Sequence, residues 1–436
     1  MKVLLVGSGG REHALAWKLS RSKVVDQLLC WPANPAIRLL AEVPRLDGDP
    51  GWPGLVDYAV DHGVDFMVVG PEQPLADGLA DLCADKGLPV FGPAREPAML
   101  EASKHFAKEV MAAAGIPTAA YHLARSREEC RAMAVKMLKE KGGTVLKASG
   151  LAGGKGVFVC TTEEQLNNGL HRLYDTSMSS AATEVVIEEI LHGRECSFFS
   201  FVGKGGATPL GFAVDFKRLQ DGDLGPNTGG MGCYTPVPWL PADAARQVDE
   251  AVVQPLLAEF SRRGLNYTGC LYTGLMWSED KGPQVVEFNV RLGDPEAQVL
   301  AVQDPRDWGA LIAAKLGLAE AVGEFDGQQD FQNGSSVAVV MASAGYPYGA
   351  PGEEHPVLDQ TLFANESADG CVFGAAVQPG KDDAIVVGSG RVMVVASRQD
   401  NFHQARATVY QKVRDIAKNW QGVQYREDIA SRVLDR

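Results

Sequence analysis

"KASGLAGGKGVFV", residues 147–159, packs Gly150, Gly153, Gly154 and Gly156 around Lys155. A Walker phosphate loop would follow its lysine with Ser or Thr and open a helix. Here Gly156 comes next, and the β-branched, aromatic run Val157–Cys160 then reads as a strand. With a second strand expected at 144–147, the segment becomes a glycine flap between antiparallel strands. Such a flap closes over phosphates with its N–H groups and Lys155. A glycine hairpin that holds nothing has the same composition, so the flanking sequence has to decide.

Three stretches downstream carry the chemistry. "VVIEEILHGRECSFF" (185–199) puts Glu188 and Glu189 at a strand end and Glu195 beyond a His-Gly turn; solvated acids on a strand edge are the competing reading. In "VVEFNVRLGDPE" (285–296), strand alternation sends Glu287, Asn289 and Arg291 to one face. A carboxylate and a carboxamide oxygen suit a hard cation such as Mg²⁺, which takes one or two such groups together with nucleotide phosphates. Arg291 can neutralise phosphoryl charge or clamp a carboxylate. "VDFKRLQDGDLGPNTGGMGCYTP" (214–236) reads as a long polar loop carrying Asp215, Lys217, Asn227 and Thr228, and loops of that length inside a domain are commonly functional.

Upstream, residues 1–100 alternate strands (3–6, 27–31, 64–69, 88–91) with helices (12–20, 53–62, 75–86). This is the rhythm of a parallel, doubly wound sheet with ligands at the carboxyl ends of its strands. Two loops fall at such ends, "GSGGRE" (7–12) and "GPEQPL" (70–75). The first resembles a dinucleotide fingerprint until its last position, where Glu12 stands in place of the third glycine and would oppose a pyrophosphate. The remaining chain changes character. A helix near 101–115, strand pairs up to residue 290 and a helix near 244–263 make an α+β pattern. Strands 336–342, 371–377 and 391–396 and a helix at 402–420 follow as a small closing unit with little evident chemistry.

The 436 residues carry a formal net charge of −14 and 45% apolar residues, which excludes a broad nucleic-acid or acidic-membrane surface and leaves room for a locally held small anion. Eight scattered cysteines without a C-x-x-C pair indicate reduced thiols and a cytoplasmic setting. No apolar run is long enough for a signal peptide or a membrane span.

In order along nearly the whole chain, "GSGGREHAL", "GPEQPL", "GIPTA", "GLAGGKGV", "IEEILHGRE", "GPNTGGMG", "LYTGLM", "EFNVRLGDPE" and "YREDIASRVL" resemble the ATP-grasp superfamily, and within it the glycinamide ribonucleotide synthetase (phosphoribosylamine–glycine ligase) family of purine biosynthesis. The resemblance implies a Rossmann-like N-terminal domain (1–100), an ATP-grasp central domain (101–325, with a mobile subdomain near 120–190) and a small mixed α/β C-terminal domain (326–436). It implies that ATP, glycine and 5-phosphoribosylamine are converted to glycinamide ribonucleotide, ADP and phosphate through a glycyl phosphate. Lys104, Lys147 and the flap residues Gly153, Gly154, Lys155 and Gly156 would then meet ATP. Glu188, Glu189, Ile190 and Leu191 would line the adenine, Glu195 would hold the ribose, and Asn227 would lie nearby. Glu287 and Asn289 would carry Mg²⁺ or Mn²⁺, and Arg291 would stand beside the transferring phosphate. Asp215, Lys217, Asp294 and Pro295 would surround glycine and the acceptor, with Thr228, Gly229, Gly230 and Met231. Gly9, Gly10, Glu12, Pro71 and Glu72 would face phosphoribosylamine, Glu12 bonding a sugar hydroxyl or the amine. The resemblance also implies a monomer or weak homodimer.

Ser149 stands where the family's flap commonly begins with Asp, and Gly153 replaces its second alanine. Val214 and Phe216 stand where Gln and His are common, and "WPANPA" (31–36) replaces a "PGNAG"-like loop. These departures keep a related ATP-grasp carboxylate–amine ligase with a different acid or amine as the alternative. A nucleotide-binding protein without catalysis is argued against by Lys147, Glu287, Asn289 and Arg291, and a dinucleotide oxidoreductase by Glu12.

Overall fold

Val6 and Val69 are neighbours in a four-stranded parallel sheet ordered Gln27–Trp31, Lys2–Val6, Phe66–Val69, Val90–Phe91. The two central strands end side by side, so the loops that begin at Gly7 and Gly70 meet at the carboxyl edge, as a doubly wound sheet requires. The structure is a computed structural model that describes all residues except 47, 151–155, 177–181, 320–332, 350–355 and 435–436. The helix expected at 75–86 is two helices, Glu72–Asp77 and Leu79–Asp85. Gly78 between them has φ +92°, a left-handed conformation that a right-handed helix cannot continue through.

A four-stranded antiparallel sheet holds the flap: Tyr121–Ala124, Val185–Glu188, Thr144–Ala148, Val157–Cys160. Helices Arg127–Lys141 and Glu163–Tyr174 cover it with a separate apolar core. Lys147 pairs with Val157 at the flap's base, where Ala148 N–H donates to the Gly156 carbonyl at 2.9 Å. Gly153, Gly154 and Lys155 lie outside the described residues.

The largest sheet is antiparallel and eight-stranded, in the order Gly282–Asn289, Gly269–Ser278, Arg194–Gly203, Gly206–Asp215, Gly232–Thr235, Ser335–Ala342, Arg391–Gln399, Cys371–Gly374. It runs without interruption across the boundary expected near 325. The stretch 217–238, expected as a loop, contains the hairpin Arg218–Gln220/Leu224–Asn227 and the strand Gly232–Thr235. That strand reads poorly because its partners on both sides, rather than its own four residues, make it a strand. Behind the sheet lies helix Glu296–Gln303, buried along its whole length, which packs against helix Gly10–Leu19. Among the described residues, no helix is long and apolar enough to cross a membrane.

The C-terminal segment reaches back in two places. Arg426, fully buried, donates to Asp223 Oδ1 at 2.9 Å and to both Asp428 oxygens at 2.7 Å, with its guanidinium 4.9 Å from the Phe216 ring. His13 on the first helix is also fully buried, and its Nδ1 accepts the Gly374 N–H at 2.8 Å. Burial disfavours the charged imidazolium, so the imidazole's pKa falls to about 3 from 6.5. The unfolded state takes up a proton below 6.5 that the folded state refuses until about 3. Stability contributed by neutral His13 is therefore present above pH 6.5 and is lost as the pH falls toward 3. His13→Asn retains an acceptor without titrating. Its urea midpoint should lie below wild type at pH 7.5, and the gap should narrow steadily between pH 6.5 and 4.

Candidate active site

Lys147, on the strand leading into the flap, donates from Nζ to Glu188 Oε2 at 2.7 Å and to the Val286 carbonyl at 3.0 Å. Glu188 is 3% exposed, and its other oxygen takes Lys108 Nζ at 3.1 Å. Lys108 also donates to Thr118 Oγ1 at 2.8 Å, and Thr118 donates to the Val285 carbonyl at 2.6 Å. A buried carboxylate is thus shared by two buried lysines, which fixes Lys147 against the strand bearing Glu287. Lys108 was missed from sequence. The legible signal was its i,i+4 spacing from Lys104, which places both on one helix face.

Lys104 stands 3.8 Å from Glu287 Oε2. Burial alone would raise the Glu287 carboxyl, but Lys104, Lys217, Lys147 and Arg291 together hold it down to about 2. Glu287 and Asn289 sit two apart on one strand, and among the described residues neither spends its side-chain oxygen on a hydrogen bond within the protein. An ionised carboxylate and a free carboxamide oxygen form a donor set that fits a divalent cation. The structure brings Glu195 and Lys217 together at 2.5 Å, and the Glu195 carboxylate outweighs burial and raises the Lys217 ammonium well above its ordinary range. Glu189 accepts Ala120 N–H at 3.1 Å. Ile190 and Leu191 are half-buried beside it, whereas Asn227 is exposed at the hairpin end.

Glu12 occupies the first glycine loop itself. One oxygen accepts the Gly9 N–H at 2.6 Å, the other takes Arg11 Nε at 2.6 Å, and the residue is 2% exposed. A Cβ at Gly7 would lie 2.5 Å from its Cγ, one at Gly9 2.8 Å from Oε2, and one at Gly70 2.2 Å from Oε1. The glycines therefore make room for a carboxylate belonging to the chain. Both Glu12 oxygens thus serve the loop, a use that the expected bond to the sugar or the amine did not include. Pro71 closes the same cradle, its Cδ 2.9 Å from the Gly7 Cβ position. Gly10 abuts Gln298 and Asp294, whose side chains would lie 2.6 and 3.5 Å from a Cβ there.

Arg291 lies two residues past the strand's end and is gripped from the N-terminal side, Nε 3.2 Å from Glu72 and Nη2 2.7 Å from Glu101. Glu101 also accepts Val290 N–H at 2.9 Å. Burial pushes Glu72 up, but Arg291 and Arg11 outweigh it and keep the carboxyl below its ordinary value. Glu72 is thereby committed to two arginines.

Asp215 is half-buried and Glu296 buried. Burial first, then the charge of Glu296, raises Asp215 well above the ordinary range despite Lys217, and burial likewise raises Glu296. Asp215 Oδ1 is buried without a partner. Asp294 takes Gln298 Nε2 at 2.6 Å and Arg391 Nη2 at 3.0 Å. Thr228 Oγ1 donates to the Lys217 carbonyl at 2.9 Å and accepts Gly230 N–H at 3.0 Å, closing the turn through Gly229 and Gly230. Pro295 Cδ sits 2.6 Å from where a Gly230 Cβ would be. Met231 is fully buried, and its backbone groups are bonded to Phe216 and Val340. It presents nothing to a ligand and anchors the turn, a correction of its expected substrate contact. Glu101, Glu296, Gln298 and Arg391 were not singled out from sequence.

The departures have local explanations. Val214 and Phe216 alternate away from Asp215 and Lys217 and pack into the C-terminal core. Ser149 Oγ accepts His105 N–H at 3.2 Å in the first turn of helix Lys104–Ala114. Asn34 of "WPANPA" donates to the Ser8 carbonyl at 2.7 Å and the Gly374 carbonyl at 3.0 Å, joining the first loop to the C-terminal sheet.

Comparison with known proteins agrees along the chain. Family profiles described as the phosphoribosylglycinamide synthetase N domain, ATP-grasp (A) domain and C domain match residues 1–101, 102–297 and 336–432. A phosphoribosylamine–glycine ligase of Rhizobium meliloti is 38% identical over 438 residues, covering 100% of this chain and 99% of the relative. One from Nostoc sp. is 39% identical over 436 residues, covering 99% and 100%. The crystal structure of the Thermotoga maritima phosphoribosylamine–glycine ligase superposes with a TM-score of 0.80 at 30% identity, covering 98% and 100%. The biotin carboxylase domain of Hydrogenobacter thermophilus 2-oxoglutarate carboxylase, solved with MgADP, shares the fold, with a TM-score of 0.71 at 18% identity covering 97% and 91%.

The Glu12 cradle yields a test in unfolding experiments. Gly70→Ala should cost about 1–3 kcal/mol by driving its Cβ into Glu12. Combined with Glu12→Ala the cost should fall well short of the sum of the single changes, because the second truncation clears the space. Additive costs in a urea double-mutant cycle would contradict the cradle.

Proposed function

We propose, for a chain that belongs to the phosphoribosylglycinamide synthetase family, that glycine is activated as glycyl phosphate before it meets the amine. The protein is an ATP-dependent phosphoribosylamine–glycine ligase of purine biosynthesis. In the proposed route a glycine carboxylate oxygen bonds to the γ-phosphorus as the bond to the β-phosphate oxygen breaks, and ADP departs. The amine of phosphoribosylamine then bonds to the acyl carbon, the carbon–oxygen bond to phosphate breaks, and the nitrogen gives up a proton. Both steps need alignment and compensation of phosphoryl charge more than covalent help from the protein.

One observation carries this reading: Lys104, Lys147, Lys217 and Arg291 converge electrostatically on Glu287. Four cations and a carboxylate held at about 2 suit a triphosphate accompanied by a divalent metal. Glu287 and Asn289 would hold that metal, Mg²⁺ or Mn²⁺, which when bound neutralises charge on the phosphoryl oxygens. Lys104 and Lys147 would bear on the nucleotide phosphates, with Arg291 near the transferring group. Glu189, Ile190 and Leu191 would lie against the adenine and Glu195 against the ribose. Asp215, Lys217, Asp294 and Glu296 would surround glycine and the acceptor amine, and the N–H group of Gly10, next to the Gly9 N–H that Glu12 holds, would face the sugar phosphate. On this reading the working unit is a monomer or weak homodimer. The eight buried free cysteines support a reducing compartment, the cytoplasm.

The test is an omission series with ATP and Mg²⁺, adding glycine, freshly made phosphoribosylamine, or both. ADP together with glycinamide ribonucleotide only when both are present is the expected result. ADP released with a different acid or amine, and none with this pair, would overturn it. Glu287→Ala should lower turnover at least 100-fold and abolish its dependence on metal concentration, with an unchanged circular-dichroism spectrum. Wild-type turnover with an ordinary metal requirement would remove Glu287 from the metal site.

A further inference from the structure

Arg391 is the first residue of a strand in the segment that carries little chemistry in its sequence, yet its guanidinium lies among the groups assigned above to glycine and the acceptor. Its Nη1 donates to the Gly229 carbonyl at 2.6 Å and also to the Asp294 carbonyl, and its Nη2 pairs with Asp294 Oδ2 at 3.0 Å. One rigid fork therefore joins the Thr228–Gly230 turn to the Asp294–Pro295 corner, two segments more than sixty residues apart in the chain.

Gly229 is shaped for this contact. A Cβ there would lie 3.0 Å from Arg391 Cζ and 3.1 Å from Nη2, so a side chain at this position would push the guanidinium back from the turn by a few tenths of an ångström. The turn's other polar group is held from the same segment, because Gly229 N–H donates to the Tyr346 hydroxyl at 3.2 Å. Asp294 passes the restraint on, since its second oxygen takes Gln298 Nε2, which abuts Gly10 of the first loop. Among the described residues, nothing comparable ties Arg391 to Lys147, Glu188 or Glu287.

We propose that Arg391 is a positioning residue for the ligase reaction: it sets the glycine and acceptor half of the site from the C-terminal segment and leaves the ATP half alone. This rests on the ligase reading given above. A lysine delivers the charge at one point but cannot bridge both carbonyls and the carboxylate, so charge alone does not substitute for the fork.

The experiment measures steady-state kinetics for each substrate, and binding of a non-hydrolysable ATP analogue, on wild type, Arg391→Ala, Arg391→Lys and Gly229→Ala. Arg391→Ala should lower kcat/KM for glycine and for phosphoribosylamine at least 100-fold and leave the analogue's Kd within twofold. Added guanidinium chloride at low millimolar concentration should restore part of that loss in Arg391→Ala and none in Gly229→Ala. Gly229→Ala, in which the fork is pushed aside by a few tenths of an ångström, should fall between wild type and Arg391→Ala. Arg391→Lys should recover less than a tenth of wild-type kcat/KM. Equal losses in ATP affinity and in the other two substrates would overturn the assignment, as would wild-type kinetics in Arg391→Ala or full recovery in Arg391→Lys. If Arg391→Ala fails to fold, Gly229→Ala and Arg391→Lys decide alone by the same split. A wild-type enzyme that makes no glycinamide ribonucleotide would instead defeat the functional reading, which the control reaction reports separately.

Discussion

A carboxylate removed from water must be given a cation or a hydrogen-bond donor, and that requirement organises this cleft. Glu188 lies between Lys108 and Lys147, Glu72 and Glu101 share Arg291, Asp294 takes Arg391, and Glu12 takes Arg11 with the Gly9 N–H. Nearly every pair joins segments distant in sequence, so neutralising the acids also docks the parts of the chain on one another. Asp215, whose Oδ1 has no partner, and Glu287 are exceptions, and Glu287 is the instructive one. Its closest cation is 3.8 Å away, and four positive groups hold it ionised without occupying its oxygens. The other acids build the site, whereas Glu287 keeps its coordination free.

What was legible in the sequence had a local physical cause. The parallel sheet followed from continuous apolar runs that end in glycine loops, and the flap from a glycine cluster followed by β-branched residues. Glu287 and Asn289 followed from strand alternation next to an apolar stripe. The glycine at the third helix was visible too, but not its left-handed conformation, so one helix was expected where Gly78 makes two. The strand Gly232–Thr235 was hidden because its partners lie 20 and 100 residues away. Lys108, Glu101, Gln298 and Arg391 were hidden for the same reason. Each is ordinary in its own helix or strand and acquires its role from a residue brought up by the fold.

Glu12 shows how a motif's failure is informative. Read as a defective dinucleotide fingerprint, the loop raised the question of what anion tolerates a carboxylate at its end. The structure answers that the loop carries its own anion and that the glycines shape a cradle for it. The substitutions at Val214 and Phe216 resolve similarly. Period-two alternation turns them into the C-terminal core, where Phe216 lies under Arg426, and they leave the site-facing Asp215 and Lys217 untouched.

The central sheet also dictates an order of assembly. Gly232–Thr235, next to the Thr228–Gly230 turn, is flanked on one side by Gly206–Asp215 and on the other by Ser335–Ala342, whose own outer neighbour is Arg391–Gln399. During synthesis from the amino end, the first of these partners is present a hundred residues before the second. Through that interval the strand exposes an unpaired edge, the kind of surface on which chaperones act and nascent chains aggregate. A ribosome that has made the parallel sheet and the flap has therefore not yet made a ligase. The Thr228–Gly230 turn and the Asp294–Pro295 corner are joined through Arg391 only once that late strand has left the exit tunnel.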